Sequence, residues 1–180
     1  MYPFAGTPQG IAAGLVFSAL LITAAVGDIR YRRIPNKLVV SLILLGLGYS
    51  VAIDPVVGGL LRGTGGLLTG FGIWLPFYVL GWLGAGDVKL FAGASSWLGP
   101  MAALEGALVG ALTGALLALF WMVRSRGLKA TTEVLGMSAG SPSLLTPRDN
   151  DSSRSTLPYG VAIAVGALWA GWLPGSFLAA

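Results

Sequence analysis

Seven acidic and eleven basic side chains make up the charged chemistry of this 180-residue sequence, which contains neither His nor Cys. Without imidazole or thiol, a Ser-His relay, a Cys nucleophile, a disulfide and the usual zinc ligands are unavailable. Bond-breaking chemistry must then come from carboxylates, Lys and Arg, hydroxyls and backbone groups. Two carboxylates stand apart by their setting. Asp28 lies in Gly27-Asp28-Ile29-Arg30-Tyr31-Arg32-Arg33-Ile34-Pro35-Asn36-Lys37, and Asp87 in Gly84-Ala85-Gly86-Asp87-Val88-Lys89-Leu90. Two carboxylates brought together in a partly desolvated site cannot both ionise cheaply, so the pair holds one proton and titrates as a unit. The ionised member takes a proton from water while the protonated member hydrogen-bonds a scissile carbonyl. Such a pair cleaves a peptide bond with no metal and no cofactor. Two aspartates that only mark helix ends would have the same spacing, and spacing alone does not separate the two readings.

The elements that must position these residues are membrane spans. Hydrophobic residues make up 55% of the chain and charged residues 10%, with a mean hydropathy of +0.80, whereas a soluble domain is about 25% charged. A soluble globular domain and a disordered chain are both excluded. About 20 apolar residues cross a hydrocarbon core as a helix. Five such runs are plain, from Gly10 to Gly27, Leu38 to Ile53, Thr64 to Leu83, Met101 to Val123 and Leu157 to Leu173. A sixth, Val88 to Leu98, is short, contains Lys89 and could be re-entrant by hydropathy alone. Charge parity decides in favour of a span. With six spans and the N-terminus outside, ten of the eleven Lys and Arg fall on inner loops and only Arg62 faces out, as the positive-inside bias requires. The expected fold is therefore an all-α polytopic bundle of six transmembrane helices in a single domain, with both termini outside. Asp28 and Asp87 then share the inner edge of the bilayer and can meet.

Other features have blander accounts. Met1 to Gln9 carries no Lys or Arg, which predicts that the first span is retained rather than cleaved as a signal peptide. The stretch 124–156, rich in Ser, Thr, Pro and Asp, reads as a flexible cytoplasmic loop. Small residues recur at every fourth position, as in Gly66 and Gly70, Gly106, Gly110 and Gly114, and Ala162, Gly166 and Ala170. That spacing lets helices approach closely within one bundle, and it would also serve a homo-oligomer face. A net charge of +4 sorted by topology predicts no nucleic-acid partner. Asp54, Arg62 and Glu105 are expected near the outer surface, where solvation or snorkelling suffices.

Around the pair, Gly84 and Gly86 offer backbone freedom and a close approach for another chain. Pro35 restricts Ile34 and can simply start a helix. Lys89 could tune the pair or snorkel. Arg30, Arg32 and Arg33 serve as a topology anchor beside anionic lipid.

These segments resemble the type IV prepilin peptidase family, membrane aspartic proteases that remove basic leader peptides from prepilins and pseudopilins. Asp28 followed by Arg32-Arg33-Ile34-Pro35-Asn36 looks like the family's first catalytic segment. Gly84-Ala85-Gly86-Asp87-Val88-Lys89-Leu90 looks like its Gly-x-Gly-Asp segment, and Leu157-Pro158-Tyr159-Gly160 is similar to its Pro-Tyr-Gly stretch. The resemblance implies that Asp28 and Asp87 are catalytic, that no cofactor is needed, and that a prepilin or pseudopilin with a basic leader is the partner. Cleavage would occur at the cytoplasmic face of a multi-pass inner-membrane protein among lipid. Pro35, Asn36, Gly84, Gly86, Lys89, Pro158 and Tyr159 would bind substrate or shape the site. Many large members also carry a domain with paired Cys-x-x-Cys motifs and methylate the new N-terminus. This chain starts at a span and has no Cys, so it is more similar to the short tight-adherence pilus and preflagellin peptidases, and methylation is not implied. Three alternatives remain. A small transporter or channel could use Asp28 and Asp87 as ion or proton sites, a structural assembly component would need no carboxylate pair, and Ser95 or Ser96 with Lys89 could form a Ser-Lys dyad.

Overall fold

The structure is a computed structural model that describes residues 4, 7–31, 33–126 and 159–173. Six helices account for nearly all of these: α1 (Pro8–Tyr31), α2 (Asn36–Ile53), α3 (Val56–Val79), α4 (Ala85–Leu98), α5 (Pro100–Arg126) and α6 (Tyr159–Trp172). The expected loop lies mostly outside the described residues, and α5 runs into its start.

The helices fall into two kinds. Four carry segments long and apolar enough to cross a membrane: α1, α2, α3 and the Pro100–Phe120 part of α5. They present large apolar side chains outward, among them Leu15, Leu44, Leu61 and Leu116, as a lipid solvent favours. The other two are shorter. At 14 residues each, α4 and α6 are about 21 Å long, below the roughly 30 Å of a hydrocarbon core. Helix α4 is one continuous helix, and every residue from Leu90 to Gly99 is buried. It is surrounded by protein, with α2 and α3 as its main neighbours. A helix sheathed by other helices needs neither lipid-facing bulk nor full span length, which explains its weak hydropathy signal.

Small residues set the spacing of the bundle. A Cβ added at Gly66 or Gly70 of α3 would strike Ser95 of α4, and one at Gly166 of α6 would strike Gly106 and Gly110 of α5. The four-residue stripes therefore pack within this chain. Polar side chains tie other crossings, α2 to α4 and α1 to α6: the Trp97 indole donates to Leu42 O at 2.8 Å, Ser50 Oγ donates to Ser96 O at 2.9 Å, and the Trp172 indole donates to Ser18 Oγ at 2.9 Å. An aromatic cluster of Phe4, Phe17, Tyr49 and Trp97 fills the space between α1, α2 and α4.

These contacts fix direction. Gly66 and Gly70 meet Ser95 in antiparallel order, and Gly46 and Gly93 link α2 to α4 in parallel order. The end of α1, the starts of α2, α4 and α6, and the ends of α3 and α5 therefore gather at one end of the bundle. Arg30, Arg33, Lys37, Lys89 and Arg124 lie at that end, and Arg62 at the other. Between α3 and α4 the chain reverses at Gly81, whose φ of 75° is costly for any side chain with a Cβ.

Two polar residues differ from expectation. Asp54 and Arg62 are not separately solvated but paired, with Oδ2 and Nη1 3.5 Å apart. Glu105 is 8% exposed, and its Oε1 has no hydrogen-bond partner among the described residues. It lies on the inward face of α5, and sequence position near a helix start could not reveal that face.

Candidate active site

Asp87 is the third residue of α4. Gly84 precedes the helix in extended conformation, and the Asp87 carboxylate reaches back to accept the Gly84 amide at 3.3 Å. This satisfies one of the amides that a helix start leaves without an internal partner. Asp28 lies in the last turn of α1 and accepts the Gly160 amide of α6 on Oδ2 at 3.0 Å, from 132 residues away. That bond joins the end of α1 to the start of α6.

The two carboxylates act on each other. Burial first, and the charge of Asp28 second, push the Asp87 carboxyl up to about 6, while the Gly84 amide pulls it down. Asp87 stands ahead of the apolar run 88–98, outside the four long apolar helices. Tyr159 opens α6, half-buried, with its hydroxyl in electrostatic reach of Asp87. Beside it an apolar cleft of about 480 Å³ runs between α3 and α5, walled by Trp74, Phe77, Trp82, Gly110, Gly114 and Ala118.

The other expected site residues divide. Gly84 is sterically constrained, since a Cβ there would stand 3.2 Å from Asp87 Oδ2. Gly86 is not. It has an ordinary helical backbone in the first turn of α4, and its Cβ would meet Ile34 at 3.6 Å, a normal contact. Pro35 and Asn36 are exposed and start α2, with Leu38 N and Val39 N donating to Pro35 O at 3.0 and 3.3 Å. They touch the site only indirectly, through the preceding Ile34 packed on Gly86. Lys89 is exposed, and no ion pair among the described residues joins it to either aspartate. Pro158 and Arg32 lie outside the described residues. The Ser-Lys alternative fails on placement: Ser95 and Ser96 are fully buried and donate to Phe91 O and Gly93 O at 2.7 Å.

Gly160 is the participant that sequence reasoning passed over. Nothing local in the sequence links position 160 to position 28.

Comparison with known proteins bears on the same residues. A sequence model of the type IV leader peptidase family matches residues 15–119. The chain is also similar to the prepilin leader peptidase/N-methyltransferase of Escherichia coli (strain K12), at 33% identity over 99 residues. That alignment takes in 52% of this chain and 44% of the relative, less than half of the relative's length. No solved structure matches the chain. The stretch 15–119 takes in more than half of the sequence and both aspartates and stops short of α6, and on that match the chain belongs to the type IV leader peptidase family.

Proposed function

We propose that this protein is an aspartic endopeptidase of the inner membrane that cleaves the basic leader from prepilins or pseudopilins at the cytoplasmic face. The observation that carries this reading is the convergence of Asp28 and Asp87, each held by a backbone amide, with the charge of one acting on the other. One ionised carboxylate takes a proton from water as the oxygen attacks the scissile carbonyl carbon. The protonated partner donates to the carbonyl oxygen. Collapse of the tetrahedral intermediate breaks the C–N bond, the amine leaves with a proton, and one carboxylate is left protonated as before. The cleft beside Tyr159 gives an apolar stretch of substrate a place next to the pair without exposing it to water. Six crossings with both termini outside put the basic end of the bundle in the cytoplasm.

The test is incubation of the protein in membranes with a prepilin bearing a basic leader, followed by mass measurement of the product. Loss of the leader is expected with wild type, resistant to serine reagents and chelators. Cleavage that serine reagents or chelators stop would overturn the reading, and the product mass reports any methylation as well. Reporter fusions within residues 141–153 should give a cytoplasmic signal, and an outer signal there would remove α4 from the set of crossings.

A further inference from the structure

Asp28 is poorly placed by its own helix. It lies in the last turn of α1, where unpaired carbonyls give the helix end a partial negative charge that disfavours a carboxylate. The N-terminus of α6 provides the opposite field. Gly160 is the second residue of α6, and its amide points at Asp28 Oδ2 at 3.0 Å. Position 160 has no room for a side chain. A Cβ there would stand 2.8 Å from Oδ2, and 3.1 Å from both Cβ and Cγ of Asp28. A short side chain rooted in a helix cannot swing clear of such a contact as a long flexible one could. The approach of Asp28 to this amide therefore requires glycine.

Asp87 has weaker support for its charge. Its amide partner, Gly84, belongs to its own turn and stands farther off, at 3.3 Å.

We propose that Gly160 is a positioning residue: its backbone N–H orients Asp28 and holds it ionised, so that Asp28 is the base that takes the proton from water and Asp87 is the acid that donates to the scissile carbonyl. This rests on the two-aspartate reading and adds the division of labour within the pair. Gly160 lies beyond the stretch that the family model matches, so the assignment comes from this chain's own geometry.

The test is a pH profile of cleavage. Among the described residues, the charged or titratable groups gathered at this end are Asp87 and Lys89 on α4, Tyr159 on α6, Lys37 on α2, Tyr78 on α3, Arg124 on α5, and Arg30, Tyr31 and Arg33 beside Asp28. Since a hydrogen bond to the charged form favours it, losing the bond makes Asp28 harder to ionise. The acid limb of the profile should then move to higher pH, by about one to two units. Two variants remove the bond differently. Gly160→Ala crowds the carboxylate. Glycolic acid incorporated at position 160 turns the amide into an ester, deletes the N–H and adds no volume, so it reports even if the alanine variant does not fold. Gly106→Ala is the packing control: its Cβ would meet Gly166 O at 3.1 Å where α5 packs on the same helix, α6, away from the pair. The expected result is a shifted acid limb and a fall in kcat of about tenfold or more, with little change in KM, for the ester and for any folded Gly160→Ala, and an unshifted limb for Gly106→Ala. An unshifted ester variant, or an equal shift in Gly106→Ala, overturns the assignment. If Asp28→Asn or Asp87→Asn cleaves normally, the two-aspartate reading itself fails. An unshifted ester variant in a protein that needs both aspartates sinks only the role given to Gly160.

Discussion

The two ends of the bundle use acidic residues in opposite ways. At one end Asp54 meets Arg62, whose guanidinium also lies 3.5 Å from Leu98 O at the end of α4. An acid answered by a base leaves the local charge balanced and the connection between helices secured. At the other end Asp28 meets Asp87, acid against acid, and each carboxylate is held by a backbone amide. Structural pairing neutralises charge, whereas two acids placed together raise the cost of ionising both, as the upward push on Asp87 from the charge of Asp28 shows. The contrast favours the acid–acid end as the seat of the proposed chemistry.

The largest effects should come from breaking the acid–acid end. Asp28→Asn and Asp87→Asn should each lower cleavage by about a thousandfold or more, while leaving an inserted, folded protein. Asp54→Asn should leave cleavage near normal. Quantitative cleavage assays on equal amounts of folded protein check this, and a dyad variant within about tenfold of wild type would end the distinction between the ends.

The same acid should be a burden on stability. The Asp87 carboxyl rises from the ordinary 3.8 to about 6 in the folded chain. Folding above that pH must bury a charge that the unfolded chain keeps in water. The penalty is full above about pH 6 and fades as pH falls toward 4, where both states are protonated. Asp87→Asn removes it. At pH 8 the variant should be more stable by about 1–2 kcal/mol, after allowance for water at a half-buried group, and at pH 4 it should match wild type. Thermal unfolding in detergent at the two pH values reads this directly, and equal stabilisation at both would show that packing, not charge, is responsible.

The glycines before Asp87 should give a smaller and graded effect. Gly84→Ala brings a Cβ to 3.2 Å from the carboxylate, whereas Gly86→Ala makes only a 3.6 Å contact with Ile34. Cleavage should fall several-fold for Gly84→Ala and little for Gly86→Ala, whose helix gains up to about 1 kcal/mol. If Gly86→Ala is the more damaging in the assay, substrate rather than the fold requires that glycine.

How far the sequence could reach follows from what each signal measures. Hydropathy found α1, α2, α3, α5 and α6 because lipid demands apolar bulk on their outer faces. It found α4 only through charge parity, since a helix wrapped in protein has no such face. Asp28 and Asp87 were legible because charge at a span end is costly and needs a reason. The Asp28–Gly160 bond was not, because it closes across 132 residues and one member contributes only backbone. Gly86 meets a similar limit: the letter Gly cannot say whether φ is positive or whether a neighbour is close, and in the fold itself its nearest contact would be Ile34 at 3.6 Å. Glu105 was misplaced because helix position gives depth along the axis and not the face that looks inward.

The smallest effect belongs to the balanced end. Asp54 and Arg62 are 43% and 23% exposed, and a partly exposed pair of this kind contributes about 0–1 kcal/mol and is weakened by salt. Arg62 does more than pair, because its second nitrogen lies beside the Leu98 carbonyl, one of the acceptors that α4 leaves open at its end. Arg62→Gln should therefore destabilise the protein slightly more than Asp54→Asn. Only the Asp54→Asn loss should vanish at high salt, since it is purely coulombic. Cleavage by both should be unchanged. Melting curves in detergent at low and high salt, beside the cleavage assay, separate these contributions. If Asp54→Asn impaired cleavage as the substitutions at Asp28 and Asp87 should, charge balance at the Asp54–Arg62 end would be governing the site from the far side of the bundle, and the division between a structural end and a chemical end would fall.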